Sequence, residues 1–281
     1  MLDCWNETSY YYEQPDVKFD DQLLIFKTEK NESDINQPYN EKLFSTILRI
    51  NQKYKETDGE KLLFSKPPLI KYSYYDDNND GLIDRFNFRI SFLTDRNTSY
   101  LDNIRLIFLF SYEFKVNIVG KMNTSAFIDI DTPLGASYIK VIGNLNLRQK
   151  SPIDRTTFFN EYYYENILNS SYYGEKLNFY EIQSEYYSRN FSTYYDYDTY
   201  IEPMRNPNIV KLDIDINVPN FQKILFTTPL FTKIKFFWIQ YCAMFIPIGC
   251  IIYFIMQFVF RNHIVSTINS NDIELEKKKV L

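Results

Sequence analysis

The chain has 281 residues, 45% of them hydrophobic and 18% aromatic, which is enough apolar material for one sizeable packed domain or two small ones. A formal net charge of −5, with no basic stripe ahead of residue 236, argues against a nucleic-acid partner. A single histidine (His263) and one cysteine (Cys4) outside the apolar run described below exclude a Ser-His-Asp or Cys-His centre, an internal disulfide and a cysteine-rich zinc site from the main domain.

The start, MLDCWNETSYYYEQP, has neither a basic n-region nor an apolar h-region. From Glu13 to Lys27 the sequence predicts a turn at Pro15 and then extended chain. In KLFSTILRINQKYK, Phe44, Ile47, Leu48 and Asn51 recur at helical spacing, which predicts one amphipathic helix. Pro67-Pro68 ends that region.

Beyond it the period becomes two. Phe86, Phe88, Ile90 and Phe92 alternate with Asn87, Arg89 and Ser91, the pattern of a half-buried strand. Leu106, Phe108, Phe110, Tyr112 and Phe114 repeat it, but Ile107 and Leu109 fill the positions between, so this strand is expected to be covered on both faces. Ile139, Val141, Leu145 and Leu147 alternate around Gly143, which reads as a bulge. Val210, Leu212, Ile214, Ile216 and Val218 form a further strand ending at Pro219. Strands at this density with one modest helix predict a mainly β, sandwich-like domain over residues 1–220. Within it, residues 160–208 are biased towards tyrosine, glutamate, asparagine and serine and are expected to be a long surface insertion with some extended structure.

Residues 221–235 are apolar and spaced by lysines, which suggests a juxtamembrane segment lying against the bilayer interface. Residues 236–260, FFWIQYCAMFIPIGCIIYFIMQFVF, carry no charge between Lys235 and Arg261. A helix of that length crosses a hydrocarbon core about 30 Å thick. Trp238 and Tyr241 stand where aromatic rings settle at the headgroups, and Gln240 and Gln257 are the polar positions available to bond partner helices or to face the headgroups. Residues 261–281 form a short polar tail.

Six N-x-[ST] sequons, at Asn6, Asn31, Asn97, Asn123, Asn169 and Asn190, all precede the span and favour a lumenal or extracellular domain. A lone C-terminal span on its own favours a tail-anchored domain in the cytosol. One stretch carries chemistry. Asp76–Asp84, DDNNDGLID, spaces Asp76, Asn78, Asp80 and Asp84 side-chain oxygens and the Leu82 carbonyl as a calcium loop does, with Gly81 for the sharp turn. Asn-Asp-Gly equally favours an acidic hairpin turn with no metal. Calcium bound there would order a hairpin, with no open position for catalysis.

Three blocks resemble the transmembrane protein 231 family of the ciliary transition zone. They are YEQPDVKFDDQLLI, then the DDNNDGLID loop through IRLIFLFSYEF to GNLNLRQKSPI, and finally FFWIQY with FVFRNHIVST across the span. The resemblance implies a structural membrane protein of the tectonic-like, Meckel-syndrome complex. It would help to form the diffusion barrier that controls ciliary membrane composition, would support cilium assembly, and would not be an enzyme. Implied partners are tectonic, meckelin, the Meckel-syndrome module proteins and membrane lipid. The family also implies two spans, with the β-rich domain outside and both ends cytoplasmic. Its first span precedes the Glu13 block, and this chain begins a dozen residues before Glu13, which suggests a first exon missing from the gene model. Two other readings stand beside this one, a calcium-dependent cell-surface binding module and a tail-anchored cytosolic adaptor.

Overall fold

The computed structural model describes residues 8–31, 40–46, 66–94, 99–116, 119–153, 167, 178–204, 208–262 and 264. Alternation of apolar and polar residues along the strands builds two main sheets. β4 (Leu69–Tyr75), β5 (Arg85–Leu93), β10 (Ile209–Asn217), β8 (Tyr138–Gln149) and β9 (Phe191–Glu202) form a five-stranded sheet in that order. β3 (Asn40–Ser45), β2 (Asp16–Asn31), β6 (Ser99–Phe114) and β7 (Gly120–Asp131) form a four-stranded one, and β1 (Thr8–Glu13) pairs with β11 (Gln222–Thr227). β10 runs antiparallel to β5 but parallel to β8. A parallel pair needs a long crossover, and residues 178–204 supply part of it.

The inner core is aromatic. Phe86, Phe88, Ile90 and Phe92 of β5 meet Leu106, Phe108, Phe110, Tyr112 and Phe114 of β6, all essentially without solvent contact. The Phe88 ring lies 4.6 Å from that of Phe108 and 4.9 Å from that of Phe19. Burying each such ring stabilises the sandwich by about 1.5–3 kcal/mol.

β6 is covered on its other face as well, as its sequence predicts. Ile107 and Leu109 join Leu24, Phe26 and Phe127 beneath Phe179, Ile182 and Tyr186 of helix α1 (Phe179–Ser188). α1 starts where Asn178 accepts a bond from the Tyr180 amide through Oδ1 at 3.1 Å and donates through Nδ2 to Glu181.

β2 keeps its odd residues inward across an irregularity. The five residues from Phe19 to Leu23 face the three from Phe110 to Phe108 on β6, and Asp21 takes a φ of 57°, a left-handed conformation that aspartate tolerates. Thr46 secures the bulge: its hydroxyl accepts from the Leu23 amide at 2.9 Å and donates to the Asp21 carbonyl at 3.0 Å.

Four expectations change. The predicted amphipathic helix begins in what is strand β3, where Phe44 pairs with Ile25, and residues 47–65 lie outside the described residues. Gly143 is not a bulge, because β8 and β9 stay in unbroken register through it. A Cβ there would meet the Asp196 carbonyl and come within 2.7 Å of Tyr197 Cα, so glycine permits a close strand approach. The tyrosine-rich stretch is no mere surface insertion: its described part forms α1 and β9, and Phe191 and Tyr195 enter the inner core. The juxtamembrane segment also divides differently. Its first half is strand β11, anchored by Gln222, which is 4% exposed, and the second half already belongs to the long helix.

Candidate functional site

Helix α2, Leu230–Arg261, extends the uncharged run by six residues on its N-terminal side and holds Pro247 within its length. Among the described residues none of its side chains is buried, and the mean hydropathy of its most apolar stretch is 2.2. A helix this apolar cannot leave so much surface to water, so lipid is the solvent that covers it. Trp238, Tyr241 and Phe245 stack successively along it, with centroids 5.8 and 5.4 Å apart. Gln240 and Gln257 both lie on this helix, as predicted. At 3.6 residues per turn they are roughly a quarter-turn apart around the axis, so the two amides mark different faces. Arg261 occupies the last turn, where a cation suits the negative helix end.

The Asp76–Asp84 loop joins β4 to β5, so the hairpin expected from Asn-Asp-Gly is present. Its carboxylates are turned inward onto the loop's own amides. Asp76 accepts from the Asp80 and Gly81 amides at 3.2 and 2.9 Å, and Asp84 Oδ2 from the Asp77 and Asn78 amides at 2.8 and 3.2 Å. Asp80 accepts from the Leu82 amide at 2.8 Å and from Asn78 Nδ2 at 2.9 Å, while Asn78 Oδ1 accepts from the Asp80 amide. Gln14 reaches over from the β1–β2 connection to Asp84 Oδ1 at 2.9 Å. Asn79 and Gly81 take φ of 58° and 85°, the left-handed turns the loop needs. Every carboxylate oxygen of Asp76, Asp80 and Asp84 thus has an N–H partner. Among the described residues no three acidic, histidine or cysteine side chains converge as a ligand set. The arrangement is a hairpin that closes on its own amides.

Of the sequon asparagines, Asn6, Asn97, Asn169 and the side chain of Asn31 lie outside the described residues. Asn123 is half-buried in β7 opposite Ser111, and Asn190 follows α1 and donates to Ser151. Their hydroxyl partners in the motif, Ser125 and Ser192, are 0% and 1% exposed. A glycan at either asparagine has to be added before the sandwich closes.

Two polar features escaped the sequence reading. Lys27 and Glu29 form an ion pair of 2.8 Å with side chains 1% and 6% exposed. Gln222 accepts from the Tyr112 hydroxyl at 2.7 Å and the Leu147 amide at 2.9 Å, and donates to the Leu145 carbonyl at 3.0 Å. Gln149 receives β11 likewise, accepting from the Leu225 amide at 3.0 Å and donating to its carbonyl. The two glutamines bind β11, the strand that leads towards α2, to β8, and Gln222 also ties it to β6. Their signal was weak, since an isolated glutamine in a strand normally reads as solvated.

A β-sandwich followed by one lipid-covered helix is common to many membrane proteins, and the match along the sequence decides between them. The profile of the transmembrane protein 231 family matches residues 2–269. The chain belongs to the transmembrane protein 231 family. It is 26% identical over 269 residues to transmembrane protein 231 of Xenopus tropicalis, covering 94% of this chain and 81% of the relative. It is 26% identical to the Homo sapiens protein and 27% to that of Bos taurus, in each case over 94% of this chain and 80% of the relative. No solved structure matches significantly. Family membership and helix α2 together make the chain a membrane protein.

Proposed function

We propose that this chain is a structural component of the ciliary transition zone, working in the tectonic-like, Meckel-syndrome complex that limits membrane-protein exchange between cilium and cell surface. Membership of the family across residues 2–269 is the observation that carries the reading. The chain acts by assembly: α2 holds it in the bilayer, and the sandwich, placed on the lumenal or extracellular side, offers its surface to tectonic, meckelin and related proteins. The acidic balance argues against a nucleic-acid partner. A barrier component needs rigidity more than chemistry. The aromatic core and the glutamine clamps on β11 supply that rigidity close to the membrane helix in sequence.

The test is removal of the gene from ciliated cells, followed by readout of tectonic and meckelin at the cilium base and of a plasma-membrane marker inside the cilium. The expected result is loss of both proteins from the base and entry of the marker, reversed by the wild-type chain. Normal retention of both partners with an intact barrier would refute the proposal.

A further inference from the structure

The outer face of the five-stranded sheet carries a cleft that the barrier role does not use. There β5, β10 and β8 lie side by side, and their register sets Arg89 opposite Asp213, Ser91 opposite Lys211 and Lys211 opposite Tyr138. The cleft has a volume of about 240 Å³ and is lined by Arg89, Ser91, Tyr138, Lys211 and Asp213 over a floor of Ile90 and Leu212.

Arg89 facing Asp213 across an antiparallel pair is an arrangement that ordinarily gives a cross-strand ion pair. Here the carboxylate is engaged elsewhere. Asn87, 8% exposed, donates through Nδ2 to Asp213 Oδ1 and Asp215 Oδ1, both at 2.8 Å. The Tyr138 hydroxyl donates to Asp213 Oδ2 at 3.4 Å. Among the described residues neither Arg89 nor Lys211 forms an ion pair or a side-chain hydrogen bond. Two cations therefore stand uncompensated around a concave site, beside a carboxylate already satisfied by Asn87 and Tyr138.

We propose that this cleft binds a phosphate or sulfate group. The Arg89 guanidinium offers a planar fork for two of its oxygens, Lys211 a mobile point charge, and Ser91 a neutral donor. Two cations and one carboxylate line the cleft, with Asp215, on the same Asn87 amide, just outside it. Its volume falls below the ~300 Å³ at which drug-sized pockets begin, so it suits one headgroup-sized anion and not a buried polymer. Such a group comes either from a soluble ligand or from a lipid headgroup.

The experiment uses the full chain in phosphatidylcholine nanodiscs, titrated with inorganic phosphate and inorganic sulfate, and a parallel series in discs containing phosphatidylglycerol, with binding read by thermal shift and chemical-shift perturbation. Saturable binding that weakens with added salt is expected, together with a loss of about tenfold in affinity for Arg89→Gln and for Lys211→Gln. Lys223→Gln, a charge-matched change on β11, is expected to leave affinity unchanged. Binding of the inorganic anions in neutral discs assigns a soluble ligand; stabilisation confined to phosphatidylglycerol discs and lost in the two variants assigns a headgroup. No saturable response to either anion or to the anionic lipid, or equal weakening by all three substitutions, overturns the proposal.

Discussion

The residues that matter most to this fold are those the hydrophobic pattern does not explain. Lys27 sits opposite Ile104, a core residue, and its ammonium reaches Glu29 at 2.8 Å and the Leu93 carbonyl at 3.4 Å beside the Phe92 ring. Removing one partner of a buried ion pair strands the other, at a cost of about 3–5 kcal/mol, while replacing both with apolar groups is close to neutral. Lys27→Met should therefore lower stability by about that amount in denaturant unfolding, and Lys27→Met with Glu29→Leu should recover most of it. Equal losses in the two variants would show that the pair contributes nothing as a pair. The buried tyrosines make a second case. Burial raises the Tyr112 hydroxyl well above its ordinary value, and it raises those of Tyr186 and Tyr195 too. Each is held neutral in the folded chain while its unfolded counterpart ionises near pH 10. The stability tied to this difference is fully present below pH ~10 and is lost as pH rises above it, by about 1.4 kcal/mol per pH unit for each tyrosine. Melting should be flat from pH 7 to 9 and fall steeply above ~10. Solvent-exposed tyrosines ionise in the intact fold, and the remaining tyrosinate absorbance should appear only together with unfolding. Ionisation of the full complement of tyrosines in an intact fold would contradict this.

At the level of elements, period-two alternation was legible wherever one face is core and the other polar, as in β5 and β10. It was also legible in β6, where continuous apolar sequence correctly marked a strand covered twice. The start of the expected helix misled because β3 has apolar residues on both faces: Leu43 joins the outer core and Phe44 packs against the inner one, so alternation vanishes there. Helix α1 was hidden by tyrosine bias, although Asn178, Glu181 and the apolar series Phe179, Ile182 and Tyr186 spell a capped amphipathic helix. Gly143 was recognised as special but for the wrong reason, since a glycine in a strand signals a bulge and a close approach alike. The Asp76–Asp84 loop illustrates how spacing brings oxygens together without saying what they bind. Because its carboxylates already hold the loop's own amides, calcium is expected to leave the melting temperature of the full chain unchanged. Asp84→Ala, which releases the Asp77 and Asn78 amides and Gln14, is expected to destabilise by about 1–3 kcal/mol with or without calcium. A calcium-dependent rise in melting temperature, abolished by that substitution, would establish a metal site there.

Across the whole molecule, a mainly β domain followed by one membrane helix was legible in the sequence, because 25 uncharged residues and repeated alternation are signals that tertiary context seldom overrides. The working surfaces were not legible, since neither the polar cleft on the five-stranded sheet nor the clamps on β11 exist until distant strands are brought into register. What the chain does follows from where such a rigid, membrane-held sandwich is placed. The measurement that tests this most directly is super-resolution imaging of the endogenously tagged chain in ciliated cells, alongside markers of the basal body and the axoneme. The expected result is a ring confined to the membrane just above the basal body, in register with tectonic and meckelin. An even distribution over the plasma membrane, or a cytosolic signal, would contradict it.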